Sequence, residues 1–233
     1  MKGLNVMVVV PAHDHGPMYF AYDLAQMMTF TTANLMGGKD APIANLGLAF
    51  CTNTYIHSAR QALANTVIEN NADIVLWLDS DMRFPPDTLA RLLERDEDIV
   101  GINYSGRSVP VDFVAIKTMV PAEKCITSPE ATGLEEVEAI GFGAVLMRTS
   151  VLRTLHDPTG EKGPWFSFRW RPEIKSMVGE DVYFCEVVRE AGHKIYVDHD
   201  LSKECAHIGT LEYEVPHALT SYEQADDGTY HLR

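Results

Sequence analysis

The amino-acid sequence predicts an α/β fold with a Rossmann-like, mostly parallel sheet, helices on both faces of that sheet and a smaller mixed sub-domain. Short apolar runs alternate with longer segments whose apolar residues recur at helical spacing, which is typical of parallel sheets with right-handed crossovers. The run at residues 74–78 is apolar throughout, as expected of a strand buried on both faces. With 233 residues, of which 46% are hydrophobic, the chain is long enough to bury such a core.

The first half of the chain alternates strand and helix. The predicted elements are a strand at residues 4–10, a helix at 17–34, a strand at 46–51, a helix at 52–71, a strand at 74–78, a short helix started by Pro86 and a strand at 98–104. Asn53 or Thr54 is expected to cap the second helix, because a short polar side chain at that position accepts a bond from the first turn.

The second half is less regular, since several prolines interrupt the extended pieces between residues 105 and 140. Gly141 and Gly143 mark a turn into another buried strand. A helix at 182–191 is entered through Gly179, Glu180 and Asp181, and a strand at 194–197 follows. We therefore expect a first half at residues 1–104, a second half at 105–215 and a polar tail at 216–233.

Composition narrows the class of protein. A net charge of −14 argues against a broad nucleic-acid-binding face, which needs clustered Lys and Arg. The four cysteines form no CxxC pair, so neither a disulfide framework nor a zinc site is indicated, and a reducing cytoplasm is expected. The apolar run near the N-terminus is half the length of a membrane span and is interpreted as a core strand, so no membrane span is expected.

Two carboxylates separated by one residue, Asp79-Ser80-Asp81, close the third strand. In open α/β sheets ligands bind outside the carboxyl ends of the strands, and carboxylates are hard oxygen ligands, so this position suggests a divalent cation that holds phosphates. Alternate residues of an extended chain share a side, so one ion could meet both acids, or one directly and the other through water. The alternatives are a pair of solvated loop carboxylates or a helix cap.

Glu180 and Asp181 open a predicted helix. One interpretation is a favourable charge at the positive end of the helix dipole. The other is a general base that takes a proton from an attacking hydroxyl. Neighbouring helical residues point about 100° apart, so only one of the two side chains is expected to face the cleft.

Three further positions are candidates with equally open interpretations. His207 either completes a metal shell begun by the Asp pair or is structural. His13 and Asp14, at the end of the first strand, either line a nucleotide pocket or form an ordinary polar loop. Arg60 either binds phosphate or base, or is a solvated charge.

The segment at residues 165–171 mixes aromatic and cationic side chains. It is either a stacking platform for a sugar or base, or a half-buried strand. In the second case Phe166, Phe168 and Trp170 would be buried, and Arg169 and Arg171 would face water.

The order of the motifs along residues 4–210 is more specific than any one of them. They are Val-Val-Val-Pro-Ala-His-Asp from Val8 to Asp14, Ser58-Ala59-Arg60, Leu76-Trp77-Leu78-Asp79-Ser80-Asp81, Gly141-Phe142-Gly143, Gly179-Glu180-Asp181 and His207-Ile208-Gly209. This series resembles GT-A fold glycosyltransferases of the family 2 type, particularly the compact versions common in bacteria and their phages.

The resemblance implies roles for these residues. Asp79 and Asp81 would be the DxD pair that coordinates Mn²⁺ or Mg²⁺ on a nucleotide diphosphate, with His207 as a further metal contact. Asp181 would be the catalytic base, with Glu180 beside it. The residues expected to line the donor pocket are Pro11, His13, Asp14, Arg60, Asp79, Ser80 and Gly143. Residues 1–104 would then bind the nucleotide sugar, and residues 105–215 would form the acceptor side.

The implied function is metal-dependent transfer of a hexosyl or pentosyl group from a nucleotide-diphosphate sugar to a hydroxyl acceptor, with inversion by direct displacement. The acceptor could be a glycan, a lipid, a protein or a modified nucleobase. Family members often place an Asp after the second strand to bind uracil, whereas this chain has Thr52-Asn53, so the donor base stays open. The alternatives are a sugar-phosphate nucleotidyltransferase, which usually has a Gly-rich loop and a basic residue after strand one, and a catalytically silent nucleotide-sugar-binding module.

Overall fold

A seven-stranded sheet forms the centre of the computed structural model, which describes residues 3–38, 40–108, 110–155, 164–172, 175–209, 212–226 and 228–232. The strands are β1 (Leu4–Pro11), β2 (Ile43–Cys51), β3 (Ile74–Leu78), β4 (Met82–Arg83), β5 (Ile99–Gly101), β6 (Ile116–Met119), β7 (Ala122–Lys124), β8 (Leu134–Val137), β9 (Ala144–Arg148), β10 (Arg169–Arg171), β11 (Ser176–Val178), β12 (Ile195–Asp198), β13 (Ala206–Ile208), β14 (Glu212–Glu214), β15 (Tyr222–Gln224) and β16 (Tyr230–Leu232). The helices are α1 (Met18–Leu35), α2 (Ile56–Glu69), α3 (Thr88–Glu94), α4 (Thr149–Leu155), α5 (Glu180–Glu190), α6 (His199–Ser202) and α7 (Val215–Leu219). No helix among these is both long and apolar enough to cross a membrane.

The strand order in the central sheet is β2-β1-β3-β9-β5-β12-β8. β1 pairs in parallel with β2 and β3, and β12 pairs in parallel with β5. β9 runs antiparallel between β3 and β5, and β8 runs antiparallel at the edge. The prediction of a mostly parallel sheet is therefore confirmed. Strands from both predicted halves of the chain contribute to this one sheet.

The alternation of side chains along β3 divides the core into two layers. Leu76 and Leu78 pack with the buried residues of α1 and α3, whereas Val75 and Trp77 pack on the opposite face with those of α2, α4 and α5. The predicted helices on both faces are thus present. All five residues of β3 are buried, which explains why its sequence is an unbroken apolar run.

A group of four aromatic side chains fills the core beneath the carboxyl end of β3. The Trp77 ring lies edge-on to Phe142 and Phe166, with centroid distances of 5.6 and 5.4 Å, and Phe166 stacks on Phe184 of α5 at 4.8 Å. Such offset and edge-on contacts are the favoured arrangements of aromatic rings. These aromatic contacts hold α5 against β3 and so set the position of the first turn of α5.

Two local predictions are wrong. Helix α2 begins at Ile56 with Tyr55 in the cap position, and no side chain caps its first turn, so neither Asn53 nor Thr54 has the expected role. In the segment at 165–171 only Phe166 follows the half-buried-strand pattern, because Phe168 and Trp170 are exposed. Their arginine neighbours turn inward to pair with the buried Glu186 instead.

Replacement of Gly143 by Ala tests the packing at the sheet edge. A Cβ at this position would lie 2.7 Å from Cε1 of the buried Tyr104 ring and 3.0 Å from Sδ of Met82, and neither neighbour has room to move. We expect Gly143→Ala to lower the free energy of unfolding by about 1–3 kcal/mol in urea titrations, as is typical of overpacking. Gly47→Ala is the control, since its nearest contact would be 3.5 Å. Equal stability of the two variants would contradict this account.

Candidate active site

A cavity of about 320 Å³ opens at the carboxyl ends of the parallel strands. Sequence-predicted site residues that line this cavity are Pro11, His13, Arg60, Asp79, Ser80, Asp81, Glu180, Asp181 and His207. They come from β1, α2, the segment after β3, the start of α5, and β13. Residues far apart in the sequence therefore meet where the sheet topology places the ends of the strands.

A small sheet brings Asp81 next to His207. β4 follows Asp81 directly and pairs antiparallel with β13, so that Met82 lies opposite His207. The N–H of Ile208 donates to the carbonyl of Asp81 at 2.7 Å. As a result, His207 Nε2 lies 3.4 Å from Oδ2 of Asp81.

The orientation of the His207 ring is fixed from its other side. Nδ1 lies 2.9 Å from the carbonyl oxygen of Ser105, and since a carbonyl can only accept, Nδ1 carries a proton. In the neutral ring the lone pair of Nε2 then faces the Asp81 carboxylate. A positive charge beside the two groups offsets the repulsion between this lone pair and the carboxylate, and a cation bound by both groups would supply one.

A guanidinium also contacts Asp81. Arg107 Nη1 lies 2.9 Å from Oδ2 of Asp81, and the Arg107 side chain is half exposed. Burial raises the pKa of Asp81, but the hydrogen bond and charge of His207 and the charge of Arg107 outweigh burial, and the net pKa is below its usual value. The carboxyl group of Asp81 is therefore held ionised by Arg107 and His207 beside it.

Asp79 has a different partner. Arg60, on α2, is only 3% exposed and donates from Nη2 to Oδ1 of Asp79 at 2.7 Å. Its other terminal nitrogen donates to Oε1 of Glu180, the first residue of α5. Burial raises the pKa of both carboxyls, and the charge of Arg60 opposes this rise. The interpretation of Arg60 as a solvated charge is therefore wrong.

Glu180 and Asp181 occupy distinct environments. Glu180 is buried and bound to Arg60, whereas Asp181 is partly exposed, with Oδ1 accepting from the N–H of Val182 at 2.8 Å. Asp181 lines both the cavity described above and a second one of about 320 Å³, which is bordered by Lys124 and Gly141. Of the two acids, Asp181 is the one that faces open space on two sides.

Two predicted pocket residues lie outside the cavity lining. Asp14 is exposed on the loop after β1, 3.7 Å from His15. Gly143 lies behind Asp79, where its carbonyl accepts the N–H of Asp79 at 3.1 Å. The sequence reasoning missed Tyr104 and Arg107, which line the cavity just after β5. Tyr104 ends the strand predicted at 98–104 and Arg107 follows it, and this position is the signal that could have identified them.

Two side-chain atoms in the cavity are of the types that bind a divalent cation. Asp81 Oδ2 and His207 Nε2 face each other across 3.4 Å, and Asp79 lines the same cavity. A carboxylate oxygen with an imidazole nitrogen suits Mn²⁺, whereas Mg²⁺ prefers oxygen ligands alone.

Removal of Arg60 tests the buried ion pairs. Arg60→Met leaves the buried Glu180 and the partly exposed Asp79 without their cation, and we expect a loss of about 3–5 kcal/mol in the free energy of unfolding at neutral pH. Without Arg60, the pKa values of Asp79 and Glu180 rise further above their ordinary 3.8 and 4.5. A carboxyl group whose pKa is raised by folding stabilises the folded state at pH values below its unfolded pKa, and this stabilisation is lost as pH rises through its folded pKa. The stability penalty of Arg60→Met is therefore smallest near pH 4 and grows toward pH 7.

The control for this measurement is Arg91→Met, which removes an ion pair with Glu204 at the surface. We expect it to cost about 0–1 kcal/mol with little dependence on pH. A penalty for Arg60→Met that stays constant across this pH range would contradict the ion-pair interpretation.

No family model matches the sequence, and no curated protein resembles it in sequence. Solved structures do resemble it. The crystal structure of A197 from STIV superimposes with a TM-score of 0.55 at 12% identity, over 99% of this chain and 94% of that chain. The crystal structure of GalNAc-T7 with UDP, GalNAc and Mn²⁺ superimposes with a TM-score of 0.51 at 10% identity, over 85% of this chain. The match covers 43% of the GalNAc-T7 chain, so this protein spans less than half of that length. The fold of the chain is the GT-A type that the order of its sequence motifs predicts.

Proposed function

We propose that the protein is a metal-dependent glycosyltransferase that moves a hexosyl or pentosyl group from a nucleotide-diphosphate sugar to a hydroxyl acceptor. One observation supports the proposal: Asp81, His207 and the partly exposed carboxylate of Asp181 line a single cavity. The likeness of the fold to that of GalNAc-T7, whose structure contains UDP, GalNAc and Mn²⁺, supports it.

Asp81 and His207 would hold the cation, with Asp79 completing the acidic pair. When bound, a divalent cation neutralises the negative charge that develops on the departing diphosphate. Arg107 already lies on Asp81 and is half exposed, so its guanidinium can shift to a phosphate oxygen. This residue therefore supplies positive charge at the same end of the cavity.

Asp181 is the proposed base, and Glu180 the residue that positions it. The acceptor oxygen attacks the anomeric carbon, its proton passes to the Asp181 carboxylate, and the bond to the diphosphate breaks with its electron pair on the diphosphate oxygen. Because Glu180 is bound to Arg60, its carboxylate is not available to an acceptor, and it anchors the first turn of α5 instead. Attack from the side opposite the leaving group inverts the anomeric configuration.

The first test concerns donor binding. We expect a nucleoside diphosphate to raise the melting temperature of the protein only when Mn²⁺ is present, because a ligand that binds the native state stabilises it by mass action. Asp81→Asn and His207→Gln should each abolish the shift. The control is Asp40→Asn, which changes an exposed carboxylate outside the cavity lining. A shift of the same size without Mn²⁺ would argue against a metal-dependent donor site.

The second test concerns the base. Asp181→Asn should lower sugar transfer by about 10²–10⁴-fold, the usual contribution of a general base, while leaving the Mn²⁺-dependent thermal shift in place. Glu190→Gln, an exposed change at the far end of α5, should keep full activity. Full transfer by Asp181→Asn would remove the base assignment.

The products distinguish the competing reactions. Release of a nucleoside diphosphate supports sugar transfer, whereas release of pyrophosphate would identify a nucleotidyltransferase. Tight donor binding without transfer to any acceptor would identify a silent binding module.

A further inference from the structure

A second cluster of metal-ligating side chains lies outside the cavity. Cys125 follows β7, Glu135 is on the edge strand β8, and His199 is the first residue of α6. One ligand atom from each residue lies within 4.8 Å of the other two. None of the three lines the proposed active-site cavity.

Cys125 and His199 both contact the same carboxylate oxygen of Glu135. Sγ of Cys125 lies 3.7 Å, and Nε2 of His199 2.9 Å, from Oε2 of Glu135. The second oxygen of Glu135 is held by Lys117 Nζ at 3.1 Å. Glu135 therefore presents a single oxygen to the thiol and the imidazole, which is the arrangement of a monodentate carboxylate ligand.

The far side of the His199 ring is also held in place. Nδ1 lies 2.9 Å from Oγ1 of Thr127, and Oγ1 in turn accepts from Nδ2 of Asn103 at 3.1 Å. A hydroxyl oxygen has two lone pairs, so it can accept from both Asn103 and His199. A hydrogen bond at the distal nitrogen that fixes the orientation of the ring is characteristic of histidine metal ligands.

We propose that Cys125, Glu135 and His199 form a binding site for Zn²⁺ or a similar thiolate-preferring divalent cation, with water as the fourth ligand. Thiolate, imidazole and carboxylate are the usual protein ligands of Zn²⁺. Metal binding would release the thiol proton, and the proton that Nε2 of His199 donates to Glu135 would move to Nδ1, where it is donated to Oγ1 of Thr127. The thiolate and the carboxylate together balance the two positive charges of the cation.

Without a metal the thiol stays protonated. Burial, and next the charge of Glu135, raise the pKa of Cys125 far above the ordinary value, while the hydrogen bond from His199 helps to lower the pKa of Glu135 to about 2. A bound cation would reverse the preference of the thiol, because metal coordination favours the thiolate. It would also fasten the segment after β7 to the edge strand and to α6.

Cobalt binding tests the site directly. We expect the full-length metal-free protein to show a thiolate-to-cobalt charge-transfer band in the near ultraviolet when Co²⁺ is added, and Zn²⁺ to remove this band. Cys125→Ser should abolish the band. Cys51→Ser is the matched control, since Cys51 is half-buried at the end of β2 and outside the cluster, and it should leave the band unchanged.

Thr127→Val provides a test that keeps all three ligands. It removes the hydroxyl that orients His199 and should weaken Co²⁺ binding by about 10–100-fold, the usual cost of losing such a contact. Asp81→Asn should leave the band intact, so the result does not depend on the proposed transferase activity. Absence of the band in the wild-type protein, or an equal band in Cys125→Ser, would show that the cluster is only a hydrogen-bonded network.

Discussion

The buried guanidinium of Arg60 is the constraint on which the candidate active site depends. An arginine that is 3% exposed requires anions around it, and it takes one from the end of β3 and one from the start of α5. Its Cζ also lies 4.9 Å from the centroid of the Phe142 ring, so the same group joins the ion pairs to the aromatic core. Replacing a buried ion pair by apolar residues is often neutral in stability, so we attribute to Arg60 a geometric role: it fixes the separation of Asp79 and Glu180.

This constraint divides the four site carboxylates into two kinds. Asp79 and Glu180 are bound to the buried Arg60, whereas Asp81 pairs with the half-exposed Arg107 and Asp181 accepts from the N–H of Val182. Asp79 lies two residues from Asp81, and Glu180 is next to Asp181. The ion pairs of Arg60 therefore position Asp81 and Asp181 without binding them. Arg107 and His207 offset the charge of Asp81, and Asp181 lines the same cavity. Such a lining suits a ligand that carries both a negative charge and a hydroxyl.

Local signals predicted most of this arrangement. The apolar run of β3 identified a central strand, and the rule that ligands bind beyond strand ends brought Asp79, Asp81 and His207 together. What the sequence could not supply were contacts between distant residues, such as the pair Arg60 and Glu180, which are 120 positions apart. Arg169 turns inward to pair with Glu186, which reverses the alternation expected for residues 165–171 in a half-buried strand. Pairing the buried carboxylate with a cation stabilises the fold more than burying the aromatic rings of this segment would. The cysteine cluster gave no spacing signal, since its ligands come from three separate elements.

The two candidate cation sites share one design and differ in their selectivity. In each, Nδ1 of a histidine is held by a protein oxygen and Nε2 is directed at a carboxylate, Asp81 for His207 and Glu135 for His199. The site in the cavity offers oxygen and nitrogen donors next to open space, so it suits a hard cation that retains ligand sites for phosphate oxygens. The site at the sheet edge adds the buried thiol of Cys125, which favours a softer cation. The difference in donor type therefore predicts different metal preferences for the two sites, with thiolate binding confined to the cluster at the sheet edge.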